Sequence, residues 1–234
     1  VHIAMWSGPR NLSTALMYAF DARAEFSVLD EPFYGSYLQA SGADHPMREE
    51  ILANMETDPK AVAKQLIRPR DGYLYSKQMT HHILASFNRD WFSSATHAFL
   101  IRHPARVVAS YARKREKVSL DMIGYVEQWR ISEEVAGAGQ KPIIIDSNDI
   151  RNNPEEALRK LCNALGLSWD PAMLRWDAGG NPADGVWATH WYGAVHQSRG
   201  FAGPEGPLPE LSEGHCEVVK EAMPYYLALA AHKL

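Results

Sequence analysis

Hydrophobic positions come in short continuous runs separated by stretches of helical period. His2-Ile3-Ala4-Met5-Trp6 reads as a buried strand, and Ser7-Gly8-Pro9-Arg10 as the turn after it. Leu12, Leu16, Ala19 and Phe20 then recur on one face, which predicts a helix from about residue 11 to 22. Further strands are predicted over 26–29, 73–76, 97–101 and 142–146; the last carries the unbroken apolar run of a strand covered on both faces. Between them, Asp44 is placed to cap a helix running to Met55, with Pro46 in its first turn. Pro104 starts another helix, 120–136 has helical character, and Asn153-Pro154 opens a helix that stops at Gly166.

Strands alternating with helices predict an α/β fold. The expected architecture has three layers, a central parallel sheet with helices on both faces. Ligands of such sheets sit beyond the carboxyl ends of the strands. Three turns at those ends carry reactive residues: 7–14, 30–34 and 102–110. The last third differs. Residues 169–209 are rich in Trp, Gly and Pro with little periodicity, and a loop of that length is usually functional. It is expected to form an irregular C-terminal lid, followed by a helix capped by Ser212 and kinked or divided at Pro224. The 234 residues suit one domain, with a core of about 1–166 and lid plus helix over about 167–234.

Composition narrows the class. Hydrophobic residues make up 46% and charged residues 22%, so the chain is neither disordered, collagen-like nor a coiled coil. A net charge of −4 argues against a general nucleic-acid binder. Cys162 and Cys216 permit at most one bridge, and Cys162 lies in an apolar run where a small buried side chain is expected. The longest apolar candidate, 222–231, is about half a membrane span and contains Pro224. With no visible leader, a soluble cytoplasmic setting is the expectation, with no membrane partner.

The first loaded turn follows a strand and opens a helix. Ser7, Gly8, Pro9, Arg10, Asn11, Leu12, Ser13 and Thr14 combine a helix N-terminus, a fixed cation and two hydroxyls, which is the chemistry of a phosphate cradle. The Gly-Lys pair of a Walker loop is missing. Taken alone it also reads as an ordinary strand–helix turn. Arg102 ends a strand, Pro104 starts a helix and Ser110 lies two turns inside it. An arginine so placed suits bidentate phosphate binding, and equally an ordinary surface junction.

Together the two motifs resemble the PAPS-dependent sulfotransferase family. In register, Pro9-Arg10-Asn11-Leu12-Ser13-Thr14 is similar to that family's 5′-phosphosulfate loop, and Arg102 with Ser110 to its 3′-phosphate motif. The strand 143–146 with Asp149-Ile150 resembles a later family element. His196-Gln197-Ser198-Arg199-Gly200-Phe201 looks like a divergent version of the loop that closes over the nucleotide. The resemblance implies PAPS as co-substrate, bound also by Arg199 and Gly200. It implies a small-molecule or glycan acceptor presenting a hydroxyl or, less favoured, an amine, and no metal. Arg10 stands in place of a lysine and Leu12 in place of a common glycine. These departures fit the bacterial and carbohydrate-type branches better than the hormone-sulfating one.

Sulfuryl transfer to a hydroxyl needs a base and cations near the leaving oxygen. The resemblance places the base at Glu31 in some branches, and at a histidine after a third-strand lysine in another, where Lys77, His81 and His82 stand. Glu31 is favoured as base, with Arg10 and Lys77 as electrostatic stabilisers. The run Arg113-Lys114-Arg115-Glu116-Lys117 reads as a solvated helix end, and Trp169, Trp176, Trp187 and Trp191 as lid packing or an acceptor wall. Two other readings stay open. One is a small-molecule kinase, for which Asp146 is the sole strand-end carboxylate in reach of magnesium. The other is a nucleotide binder without turnover.

Overall fold

The computed structural model describes residues 1–115 and 117–234. Strands β1 (His2–Ser7), β2 (Phe26–Asp30), β3 (Tyr73–Met79), β4 (Thr96–Ile101) and β5 (Ile143–Asp146) form a five-stranded sheet in the order β2-β3-β1-β4-β5. Every neighbouring pair is parallel, as the apolar runs and the helices between them require. The helices are α1 (Ser13–Asp21), α2 (Tyr34–Ser41), α3 (Arg48–Asn54), α4 (Pro59–Leu66), α5 (Pro104–Ala112) and α6 (Leu120–Ile123). They continue as α7 (Tyr125–Gly137), α8 (Ser147–Asn152), α9 (Pro154–Ala164), α10 (Ala188–Trp191), α11 (Gly193–His196) and α12 (Glu213–Ala230).

The period of two along each strand divides the core into two layers. Ile3 and Met5 of β1 meet Leu16 and Phe20 of α1 and Leu158 and Leu161 of α9. Ala4 and Trp6 face the other way, onto Leu66 of α4, Ile131 of α7 and Leu229 of α12. Both faces are therefore covered, which gives the three expected layers. Residues 169–209 hold only short helical turns between irregular segments, in keeping with the expected lid.

Several elements differ from the expectation. Asp44 caps nothing: α3 starts at Arg48, behind Met47 in a left-handed conformation with φ 62°. Helix α1 begins at Ser13 because Leu12 is left-handed at φ 76°. The helix expected over 120–136 breaks at Gly124, whose φ is 72°. A side chain at Gly8 would meet the Ile123 carbonyl oxygen at 2.3 Å, so Gly8 is a packing glycine. Ser212 does cap α12, but Pro224 sits inside that helix without dividing it. Cys162 is buried and both cysteines are free. Among the described residues no helix is long and apolar enough to cross a membrane.

Candidate functional site

The carboxyl ends of β1, β2, β3 and β4 open onto one cavity of about 580 Å³. Pro9 to Ala15 line it from the first motif, Arg102, Arg106 and Ser110 from the second, and Glu31, Lys77, His81 and His82 from the ends of β2 and β3. The lid closes it with Trp187, Trp191, Tyr192, Gly200 and Glu205. Of the residues expected to bind a ligand, Ser7, Gly8 and Arg199 stand outside the wall. Ser7 is fully buried with its hydroxyl against the Met79 sulfur at 3.8 Å, and Arg199 is exposed.

The first turn is shaped by its backbone. Arg10 (φ 63°) and Leu12 (φ 76°) both lie in the left-handed region, which costs a non-glycine residue about 1–2 kcal/mol each. Leu12 offsets part of that by packing against the core layer beneath α1. A left-handed Leu12 followed by helical Ser13 is the alternation that gathers successive N–H groups into an anion-binding concavity. No side chain caps α1, so its first turn faces the cavity through Ser13, Thr14 and Ala15.

Two hydrogen bonds join the motifs. Arg10 donates from Nε to Ser110 Oγ at 3.0 Å, and Arg102 donates to the Arg10 carbonyl oxygen. Among the described residues Arg10 has no carboxylate partner; its other contact is the Trp191 carbonyl oxygen at 3.4 Å. Burial, with the guanidinium groups of Arg102 and Arg113 nearby, lowers its pKa. An arginine so placed stays charged, and its local field favours an anion. Arg102 instead holds Glu205 with two N–H groups, joined there by Arg106 (Nε to Oε2, 3.4 Å) and Arg151 (Nη1 to Oε1, 2.9 Å).

Glu31 lies one residue past β2, in a left-handed conformation at φ 46° that turns its side chain back toward β3. Such strain in a bulky residue is kept where surrounding contacts over-determine it. Its N–H continues the ladder to the Lys77 carbonyl oxygen at 3.0 Å. Asp30 and Lys77 are register partners of the parallel pair β2–β3. Lys77 Nζ donates to Asp30 Oδ1 and Glu31 Oε1, each at 2.8 Å, and contacts the Tyr192 hydroxyl. An ammonium has three N–H groups, so this set engages them all. Lys77 therefore acts in this structure by bracing Glu31. Burial pushes the Glu31 carboxyl above its ordinary range; Lys77 pulls it back and Asp30 raises it again, with a net upward shift. A raised carboxylate pKa suits a base that works near neutrality.

His81 and His82 lie against this cluster, within the cavity wall. Burial lowers the His81 pKa to about 3 and takes His82 well below its usual value. His82 Nδ1 is 3.7 Å from Glu31 Oε2, and its ring stacks on Tyr34 at 4.3 Å. His45 accepts or donates at 2.9 Å to the Tyr34 hydroxyl, and burial lowers it to about 4. These neutral rings form an aromatic wall beside Glu31. A histidine with so low a pKa is a weak base, which favours the carboxylate over His81 for taking a proton. Among the described residues no group of three or more His, Cys, Asp or Glu is arranged to hold a metal ion.

The four lid tryptophans divide by role. Trp187 and Trp191 line the cavity, and Trp187 donates to the Tyr192 hydroxyl at 2.9 Å. Trp176 packs edge-on against Tyr18 and Phe201, and Trp169 lies under Arg159. Arg113 reaches the cavity wall, while Glu116 of the same charge run lies outside the described residues.

Tyr192, Arg106, Arg151 and Glu205 escaped the sequence reading. Arg106 stands one helical turn after Arg102, at the same helix start, and that spacing was the available signal. Nothing local marks Tyr192 or Glu205, because chain folding alone brings the lid to the strand ends.

A family profile described as "Sulfotransferase domain" matches residues 1–233. Two Arabidopsis thaliana proteins named "Branched-chain-amino-acid aminotransferase-like protein 1" and "protein 2" are 35% and 34% identical over 232 residues. The match covers 98% of this chain and 42% and 41% of theirs, so the chain spans about two-fifths of the length of these relatives. A solved sulfotransferase from Alicyclobacillus acidocaldarius shares the fold, with a TM-score of 0.55, 13% identity, and coverage of 98% of this chain and 94% of that one.

Proposed function

The chain belongs to the sulfotransferase-domain family, and from that premise we propose that it transfers a sulfuryl group from PAPS to a hydroxyl of a small molecule or glycan. The observation that carries this reading is the single cavity in which Arg10, Arg102 and Ser110 are hydrogen-bonded together beside a strained, buried Glu31. Family membership alone implies the donor. Its fit is supported by the guanidinium charge at the strand ends: Arg10 before the start of α1 and, hydrogen-bonded to its carbonyl oxygen, Arg102 beside Arg106 and Arg151. A ligand with anionic groups at both ends suits such a pair.

The bound donor would supply the sulfuryl group: the acceptor oxygen bonds to sulfur as the bond from sulfur to the donor's bridging oxygen breaks, and the desulfated product, PAP, leaves. Arg10 and the N–H groups of residues 12–14 would hold the 5′ end, and Arg102 and Ser110 the 3′-phosphate. Gly200 lines the cavity, and since a side chain there would come within 2.8 Å of the Leu174 carbonyl oxygen it is, like Gly8, a packing glycine. Glu31 takes the proton of the acceptor hydroxyl on its free carboxylate oxygen, Oε2, while Oε1 stays bonded to Lys77. Lys77, Asp30 and Tyr192 hold that carboxylate in place. The aromatic wall of Tyr34, His45 and Trp191 is the surface left for an uncharged acceptor.

The kinase reading finds less support. Asp146 is absent from the cavity wall, and its carboxylate is taken up by the Tyr226 hydroxyl and the Asn148 N–H, each at 2.8 Å. Calorimetry separates the readings. PAP is expected to bind without a divalent cation, more tightly than adenosine 5′-phosphate and than ATP with magnesium. Preference for ATP with magnesium would replace this reading by the kinase one.

A further inference from the structure

Glu205 belongs to a segment with no regular structure, yet its side chain is only 5% exposed. Three arginines from three separate elements converge on it. Arg102 follows β4, Arg106 is in α5 and Arg151 in α8. Arg102 grips the carboxylate in a two-pronged arrangement, with Nε to Oε2 at 3.3 Å, and Arg151 reaches Oε1 at 2.9 Å. One negative charge thus answers three positive ones. Burial would raise the Glu205 pKa, but the three guanidinium groups hold it below its ordinary value.

The same arginines hold the surrounding chain. Arg106 donates to the carbonyl oxygens of Glu205, Gly206 and Pro207, and Arg151 to that of Gly203 at 2.8 Å. Apolar anchoring is slight, since Leu208 is 51% exposed. Glu205, Pro207 and Pro209 nevertheless line the cavity. The segment 203–209 is therefore fastened into the wall mainly by one carboxylate and a few carbonyl groups.

We propose that Glu205 is a resident substitute for a phosphate, and that segment 203–209 is a plug which an incoming phosphate monoester displaces from Arg102, Arg106 and Arg151. The proposal rests on the donor reading above and adds two phosphate ligands, Arg106 and Arg151, together with an internal competitor. A phosphate monoester brings up to two charges and three oxygens to the three guanidinium forks, a better match than one carboxylate. A site filled by its own chain binds ligand with an affinity reduced by the fraction of time it stands open. Removing the competitor's charge should therefore tighten phosphate binding, whereas a carboxylate that merely tethers a loop should do the opposite.

The test compares the wild-type chain with Glu205→Gln and with Glu205→Gln combined with Arg151→Gln. PAP, adenosine 5′-phosphate and inorganic phosphate are titrated by calorimetry, and hydrogen exchange of 203–209 is followed in each state. The proposal expects PAP to bind Glu205→Gln about tenfold or more tightly, a gain that Arg151→Gln removes. Adenosine 5′-phosphate should change by less than about twofold. In the wild type, PAP or millimolar phosphate should speed exchange across 203–209. Unchanged or weaker PAP binding by Glu205→Gln, with no change in exchange, would overturn it. If PAP binds neither protein, the donor reading fails, and inorganic phosphate decides the plug separately. Tighter phosphate binding by Glu205→Gln sustains it, and equal binding ends it. Should Glu205→Gln fail to fold, the wild-type exchange response to phosphate decides alone.

Discussion

Lys77 Nζ stands 2.8 Å from Oε1 of Glu31, and both side chains are almost wholly buried. Asp30 shares the same ammonium, so two carboxylates depend on one cation. Losing one partner of a buried pair leaves an uncompensated charge and costs about 3–5 kcal/mol. Lys77→Met should lose stability on that scale in urea unfolding. The sign with pH follows from the remaining acids. Burial already raises the Glu31 carboxyl and Lys77 pulls it down, so without Lys77 its neutral form is favoured further and the deficit shrinks as pH falls. A deficit that is the same at pH 8 and pH 5 would show that the pair is not buried together.

Tyr192 ties the lid to this cluster. Its hydroxyl lies 2.8 Å from Asp30 Oδ2, 3.2 Å from Glu31 Oε1 and 2.9 Å from Trp187 Nε1. Tyr192→Phe leaves buried polar partners unmet, at a cost of about 1–3 kcal/mol. It also removes a hydrogen bond that favours the charged form of Glu31. The acid limb of the kcat/KM profile should therefore move to higher pH, a shift that loosened packing alone would not produce.

The fold was legible because each strand announced itself as an apolar run ending at a turn, and both phosphate-type motifs lay within single strand–helix junctions. Helices α2 and α4 were not, since Tyr34–Ser41 mixes Gly, Ser and Tyr without a clear stripe and α4 buries only Val62 and Leu66 behind its cap Asp58. The break at Gly124 follows from a tertiary constraint: a side chain there would meet Thr80 Oγ1 at 2.7 Å. At the site, Glu31, Lys77, Arg10 and Arg102 were readable from position at strand ends. Arg199 stood for a loop whose basic residue faces out, while Arg106 and Arg151 supply guanidinium groups from the core.

Buried and half-buried histidines set the acid behaviour of the fold. His2 and His81 have pKa values lowered to about 3 and His45 to about 4, chiefly by burial. Each remains neutral when folded, while in the unfolded chain it takes a proton near pH 6.5. The unfolded state thus binds more protons below that point, so stability is full above it and falls on acidification. Each histidine contributes a slope of up to about 1.4 kcal/mol per pH unit. His2→Gln, which can still reach Ser76, should flatten the slope between about pH 6 and 4.5 by that amount in denaturant titrations. An unchanged slope would mean that His2 titrates normally in the folded chain.

Arg102 should govern discrimination at the 3′ end. A charge-assisted hydrogen bond contributes about 1.5–3 kcal/mol, or roughly 10–150-fold in affinity. Arg102→Ala is expected to erase most of the preference for PAP over adenosine 5′-phosphate in calorimetry. Undiminished preference would move the phosphate site elsewhere.

The most direct test is transfer itself. Wild-type protein is incubated with radiolabelled PAPS and a panel of phenols, alcohols, sugars and amines, with and without EDTA, beside Glu31→Gln and His81→Ala. The account predicts label on a hydroxyl acceptor with EDTA present. It also predicts a loss of about 10²–10⁴ in rate for Glu31→Gln, PAP affinity within a few-fold of wild type, and a smaller effect of His81→Ala. Transfer that survives in Glu31→Gln and collapses in His81→Ala, or PAP binding with no transfer to any acceptor, would contradict it.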